Sequence, residues 1–127
     1  MRYFAIALLA IGMAACTNDS TSPNGSVRGT YNLRTIDGSQ LPIPLNNGCV
    51  IQSDQMIIDA NGNYEEDYFY TDPACNQQDL GTYSANNNTV DFFSENGFGE
   101  FTGSVSGNVL TIITAGNPGD TWVYARQ

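Results

Sequence analysis

A chain of 127 residues with 13 acidic and 4 basic side chains has room for one domain and carries a formal charge of −9. The basic residues are all arginine (Arg2, Arg28, Arg34 and Arg126) and histidine is absent. Histidine metal sites, Ser-His-Asp or Cys-His nucleophiles and lysine chemistry are therefore excluded, and an acidic chain lacks the patch that would neutralise nucleic-acid phosphates.

The N-terminus reads as an address. Arg2 precedes the apolar run Phe4 to Met13, which ends in the small pair Ala14-Ala15, the anatomy of a secretory signal. The run is about ten residues, half of the roughly 20 that a membrane-spanning helix needs. Met13-Ala14-Ala15-Cys16 resembles the bacterial lipobox, with Met at the position where Leu is usual. That resemblance implies removal of residues 1–15, lipidation of Cys16 and membrane attachment through the lipid. Residues 16–26 are polar, with Pro23 and Gly25, and read as a flexible tether. Thr17, a residue other than Asp after the lipidated cysteine, is similar to the outer-membrane sorting pattern. The expected location is the cell envelope, at the periplasmic or surface face of the outer membrane.

Three cysteines form an odd set. With Cys16 used for lipid, Cys49 and Cys75 pair as a disulfide, which persists outside the cytoplasm. Two thiols without histidine or C-x-x-C spacing are a poor metal-ligand set, so no metal or cofactor is expected.

Residues 27–127 carry eight β-rich segments and no sustained helical period. They run Gly29 to Asp37, Cys49 to Asp59, Asn63 to Tyr70, Leu80 to Ala85, Thr89 to Glu95, Gly99 to Ser106, Val109 to Ala115 and Thr121 to Arg126. Asn- and Gly-rich links such as Asn61-Gly62, Asn86 to Asn88 and Gly107-Asn108 supply the positive φ of hairpin turns, so sequence neighbours should pair. With Asn61 and Gly62 as the two turn residues, Cys49 faces Ala74, next to Cys75. The pattern predicts an all-β domain, an eight-stranded antiparallel up-and-down barrel, with a two-sheet sandwich as its rival. Alternation places Tyr31, Leu33, Met56, Ile58, Tyr64, Tyr83, Val90, Phe92, Phe101, Val105, Leu110, Ile112, Trp122 and Tyr124 inside. The seven aromatics among them are the candidate lumen or ligand residues. An eight-stranded barrel is either filled by such side chains or holds one small ligand.

Several pieces, Gly29-Thr30-Tyr31-Asn32-Leu33, Ile36-Asp37-Gly38, Gly62-x-Tyr64, Gly81-Thr82-Tyr83, Gly103-Ser104-Val105 and Tyr124-Ala125-Arg126, resemble the lipocalin-like domains of small bacterial lipoproteins. In lipocalins proper a G-x-W motif opens the barrel and an arginine from late in the chain covers that tryptophan. Here Tyr31 stands in its place, with Arg126 as the candidate cover. The resemblance implies a barrel that binds a small or apolar molecule.

Asp59, Asn61 and Asn63 imitate the start of a calcium loop, yet an EF-hand needs Gly at the sixth position and Glu at the twelfth, whereas this array has Gly62 at the fourth and Tyr70 at the twelfth, so it reads as a hairpin turn. In the acidic run Glu65-Glu66-Asp67, Glu66 shares a strand face with Tyr64 and Tyr68. The run reads as a solvated edge, an inward Glu66 being the exception of interest. With no hydrolase, metalloprotease or phosphate-loop motif, a non-catalytic binder is expected. The alternatives are an envelope inhibitor or adaptor that uses its acidity to capture a basic, lysozyme-like protein, and a structural surface protein.

Overall fold

The structure, a computed structural model, describes residues 27–115 and 119–127. The signal segment, Cys16 and the tether lie outside the described residues.

Ten strands form in chain order: β1 (Gly29–Ile36), β2 (Ser39–Gln40), β3 (Ile43–Pro44), β4 (Val50–Ile58), β5 (Asn63–Tyr70), β6 (Gln77–Asn86), β7 (Thr89–Ser94), β8 (Glu100–Ser106), β9 (Val109–Ile113) and β10 (Thr121–Arg126). One turn of 3₁₀ helix, Pro73–Cys75, lies between β5 and β6. The eight long strands pair antiparallel with their sequence neighbours from β4 to β10, β10 pairs with β1, and β1 pairs with β4. The sheet therefore closes on itself as an eight-stranded antiparallel barrel, which removes the exposed edges that an open meander would leave. Strands β2 and β3 are two-residue additions on β1 and β4, too short to carry a period in the sequence.

The turns follow from residues that tolerate positive φ. Asn87-Asn88 and Gly107-Asn108 are two-residue loops, with φ of 55° at Asn87 and 59° at Gly107. The β4–β5 turn differs from expectation. Ile58 faces Tyr64 and the Asp59 N–H donates to the Asn63 carbonyl at 3.0 Å, so three residues, Ala60 to Gly62, form the loop. Gly62 takes its left-handed position at φ 90°. The Asp59 carboxylate organises the loop by accepting from the backbone N–H of Asn61 (2.8 Å) and of Asn63 (2.9 Å), an arrangement that builds a turn. The register is thus one residue from the predicted one, and a bulge between Ile51 and Ser53 shifts it again. The cysteines still meet: Cys49 and Cys75 form a disulfide with Cα atoms 6.2 Å apart.

Every residue assigned to the interior by alternation is inside. Tyr31, Tyr64, Tyr83, Phe92 and Tyr124 are buried, and Phe101 and Trp122 are partly buried against the same core. The mid-barrel is packed by an aromatic cluster in which Phe92 stacks on Phe101 at 4.8 Å and Tyr64 meets both edge-on. Gly81 makes room for it, since a Cβ there would stand 2.7 Å from the Tyr64 ring and 2.1 Å from the Phe93 carbonyl oxygen.

The two ends differ. At the end where the chain enters β1, Val27 and Tyr31 are wholly buried. The Tyr31 hydroxyl donates to the Val27 carbonyl at 2.7 Å and accepts from Arg126 Nη2 at 2.5 Å and Nε at 3.1 Å. The guanidinium carbon stands 5.1 Å from the Tyr31 ring centre, so Arg126 covers Tyr31 as the sequence resemblance implies. This end is plugged. The opposite end carries the longer connections, among them the stretch bearing the disulfide.

Candidate functional site

The open end contains a cavity of about 310 Å³. Five strands supply its wall: β5 with Glu66, Tyr68 and Tyr70, β6 with Gln77, β8 with Glu100 and Phe101, β9 with Ile112, and β10 with Trp122 and Tyr124. Phe98, from the β7–β8 loop, leans over the rim and is 47% exposed. Tyr68 is the middle of an aromatic wall, stacked on Phe98 at 6.1 Å and edge-on to Trp122 at 6.3 Å.

Beneath this wall lie three buried carboxyl groups, Asp54 on β4, Glu66 on β5 and Asp79 on β6, none more than 2% exposed. Alternation puts each there. Asp54 shares a face with Met56 and Ile58, Glu66 with Tyr64 and Tyr68, and Asp79 with Gly81 and Tyr83. Hydroxyl groups supply the donors to Glu66 and Asp79. Glu66 accepts from Tyr68 and Tyr124, both at 2.6 Å, and Asp79 accepts from Tyr64 at 2.7 Å and Ser94 at 2.5 Å.

Tyr124 also stands 2.9 Å from Asp54 Oδ2. One hydroxyl proton cannot serve two carboxylates, so when Tyr124 donates to Glu66 the second contact requires a proton on Asp54. Burial, and then the neighbouring Glu66 charge, push the Asp54 carboxyl well above its usual range. Burial also raises Glu66, but its tyrosine donors oppose the shift, so Glu66 is the member that ionises first. The same environment raises the Tyr68 and Tyr124 phenols, in both cases chiefly through burial, which keeps them as donors. Two buried polar atoms lack a partner among the described residues, Asp54 Oδ1 and Trp122 Nε1.

Of the seven candidate lumen residues, the structure brings Phe101, Trp122 and Tyr124 to the cavity, with Tyr64 supporting its floor through Asp79. Phe92 belongs to the packed middle, and Tyr31 and Tyr83 to the plugged end, where Tyr83 donates to the Asp59 carbonyl at 2.5 Å. The lumen is therefore filled along part of its length and open at one end. Sequence reasoning did not single out Asp54, Asp79, Tyr68, Phe98 or Tyr70; the face shared with Met56 and Ile58 was the available signal for Asp54.

Among the described residues no group of three or more His, Cys, Asp or Glu is arranged to hold a metal. The Asp54 and Glu66 carboxyls stand within hydrogen-bond reach of one another. What the arrangement offers is a small aromatic cup with an acidic floor. No protein-family model matches the chain, and no curated protein matches it in sequence.

Proposed function

We propose that the protein is a non-catalytic, lipocalin-like binding module, attached to the cell envelope through a lipid on Cys16, that holds one small apolar molecule in the open end of its barrel. The observation that carries this reading is the cavity of about 310 Å³, aromatic-walled and open at one end of a barrel whose other end is plugged by Arg126 and Tyr31. A water occupies about 30 Å³ of liquid, so the space matches about ten waters, or a ligand of similar heavy-atom count. Apolar concavities with a few placed polar groups are the usual form of small-molecule sites. The lipobox-like Met13-Ala14-Ala15-Cys16 and the oxidised Cys49–Cys75 pair support an extracytoplasmic, membrane-attached location.

The test is solvent extraction of the protein purified from its native membranes, followed by mass spectrometry of the extract and of the protein N-terminus. A stoichiometric small molecule and a lipid-modified Cys16 are expected. An intact unmodified N-terminus would refute the anchor. A ligand-free extract, together with apolar probes that leave the fluorescence of the single tryptophan, Trp122, unchanged, would refute the binding role.

A further inference from the structure

We propose that the open-end cavity selects a small organic monocation, an amine carrying an aromatic or apolar body, with its ammonium group at Glu66 and its body among Tyr68, Phe98 and Trp122. The inference rests on the ligand-binding reading above and gives it a chemical class.

Three observations carry it. First, Glu66 is a buried carboxyl that lines the cavity, so the polar floor is acidic. A neutral apolar ligand would be served as well by a leucine there, without the cost of removing a carboxylate from water. Second, the described residues supply no cation to this floor. The chain has no lysine or histidine. Arg126 lies on Tyr31 at the plugged end, Arg28 acts on Tyr83 at that same end, and Arg34 is exposed on β1 along an outer groove that reaches Asp54. The side chains that do face Glu66 are Asp54 from β4, Tyr68 of its own strand, Asp79 from β6 and Tyr124 from β10, with Glu100 from β8 also lining the cavity. Every one is acidic or a neutral donor. Third, Asp54 is 2% exposed and stands against Glu66, yet its Oδ1 accepts from no described residue. An ammonium group has three donors, so one seated at Glu66 can serve a second acceptor beside it.

The walls suit the same ligand. Tyr68 stands between Trp122 and Phe98, and aromatic faces attract a cation that has shed part of its water. An anion would meet Glu66 and Glu100 and be repelled.

Trp122, the sole tryptophan, lies in the cavity wall and reports occupancy by fluorescence. The probes are phenethylamine, phenethyl alcohol and phenylacetate, which share a body small enough for the space and differ in charge. At about pH 8 the amine is expected to bind at least about tenfold tighter than the alcohol, with no binding of the carboxylate; tenfold corresponds to about 1.4 kcal/mol. Glu66→Gln is expected to bring the amine down to the affinity of the alcohol. A wild-type measurement serves if that variant does not fold. Acidification protonates Glu66, whose titration is raised by burial, so the amine should weaken as pH falls while the alcohol stays constant. Equal affinity of amine and alcohol in the wild type, or a preference that survives both Glu66→Gln and acid, would overturn the charge selection and leave a neutral-ligand barrel standing. Silence of all three probes would overturn the binding reading itself.

Discussion

The disulfide is the largest single contribution to stability that can be sized from the structure. Cys49 and Cys75 are 26 residues apart in sequence and close a loop that contains β4, its turn, β5 and the 3₁₀ turn. Loop-closure entropy for that length amounts to about 3.5 kcal/mol at 25 °C. A domain near 100 residues is stable by about 5 to 15 kcal/mol, so a quarter or more of the total is involved. Cys49→Ala/Cys75→Ala should still fold, because the strand ends are joined independently. Thr71 N–H donates to the Val50 carbonyl at 2.9 Å, and Tyr70 N–H to Asn76 Oδ1 at 2.8 Å. The expected result is stability lowered by about 3 kcal/mol in urea titration and a melting temperature lower by roughly 12 to 25 °C, with a steeper slope of free energy against urea because the unfolded chain without the staple exposes more surface. Because Tyr70 and Gln77 flank the stapled segment and line the cavity, amine or alcohol binding should weaken in the same variant. A loss below about 1 kcal/mol would refute the reasoning, since it would mean that the unfolded chain gains little freedom when the staple is cut.

Four further outcomes follow from particular contacts. The Asp54 and Glu66 carboxyls are raised in the folded state, so the fold binds their protons more tightly than the unfolded chain does. Their contribution is then fully present below the unfolded values near 4 and lost as pH rises from there through the folded values. Urea midpoints should fall as pH rises above the unfolded values in the wild type and vary less in Glu66→Gln; an equally steep decline in the variant would contradict the assignment. Asp54→Asn should cost under about 1 kcal/mol at neutral pH, because the neutral amide replaces a neutral acid, whereas a loss above about 3 kcal/mol in denaturant titration would place a charge on Asp54. Gly81→Ala should destabilise by about 3 kcal/mol or more, since its Cβ would meet the Phe93 carbonyl oxygen at 2.1 Å and neither backbone can yield; a wild-type thermal midpoint would refute that. Arg126→Met should cost about 2 kcal/mol through lost hydrogen bonds to Tyr31 while leaving Trp122 probe binding intact, a separation that fluorescence titration checks directly.

Legibility in the sequence followed the strength of local signals. Turns with Asn and Gly between alternating apolar residues marked all eight barrel strands, and alternation from Tyr64, Tyr83 and Trp122 carried the interior assignment. The same alternation held information about the acidic floor that composition obscured. Glu66 shares its parity with Tyr64 and Tyr68, yet the neighbours Glu65 and Asp67 make the stretch look solvated, as indeed their own outward side chains are, bridged by Gln78 at 2.9 Å each. Asp54 sits in Gln52-Ser53-Asp54-Gln55, where a bulge breaks the period and every residue is polar. Asp79 was hidden differently, because β6 begins at Gln77, three residues before the apolar pattern starts at Leu80. The cavity could not be read at all. It is a space between side chains of five strands, and only their assembled positions define it.

The two ends of the barrel divide stability from recognition. At the plugged end a cation, a phenol and a carbonyl satisfy one another, and the chain's late arginine reaches the first strand, which is a fold-closing contact between residues 95 apart. At the open end three inward carboxyls meet only neutral donors. Effective desolvation of a buried ion costs several kcal/mol, and each charged hydrogen bond returns about 1.5 to 3 kcal/mol, so two tyrosine donors on Glu66 do little more than offset its burial. Proton uptake by Asp54 relieves part of the cost and leaves Glu66 as the charged member of that pair, facing an aromatic cup. A barrel built for stability alone would carry apolar side chains at positions 54, 66 and 79. The disulfide at the rim and the arginine lock at the far end compensate for a floor that, by itself, weakens the fold, and a cation entering the cup would remove that weakness by binding. Ligand and stability are thereby linked: a selected amine should raise the melting temperature of the wild type more than that of Glu66→Gln.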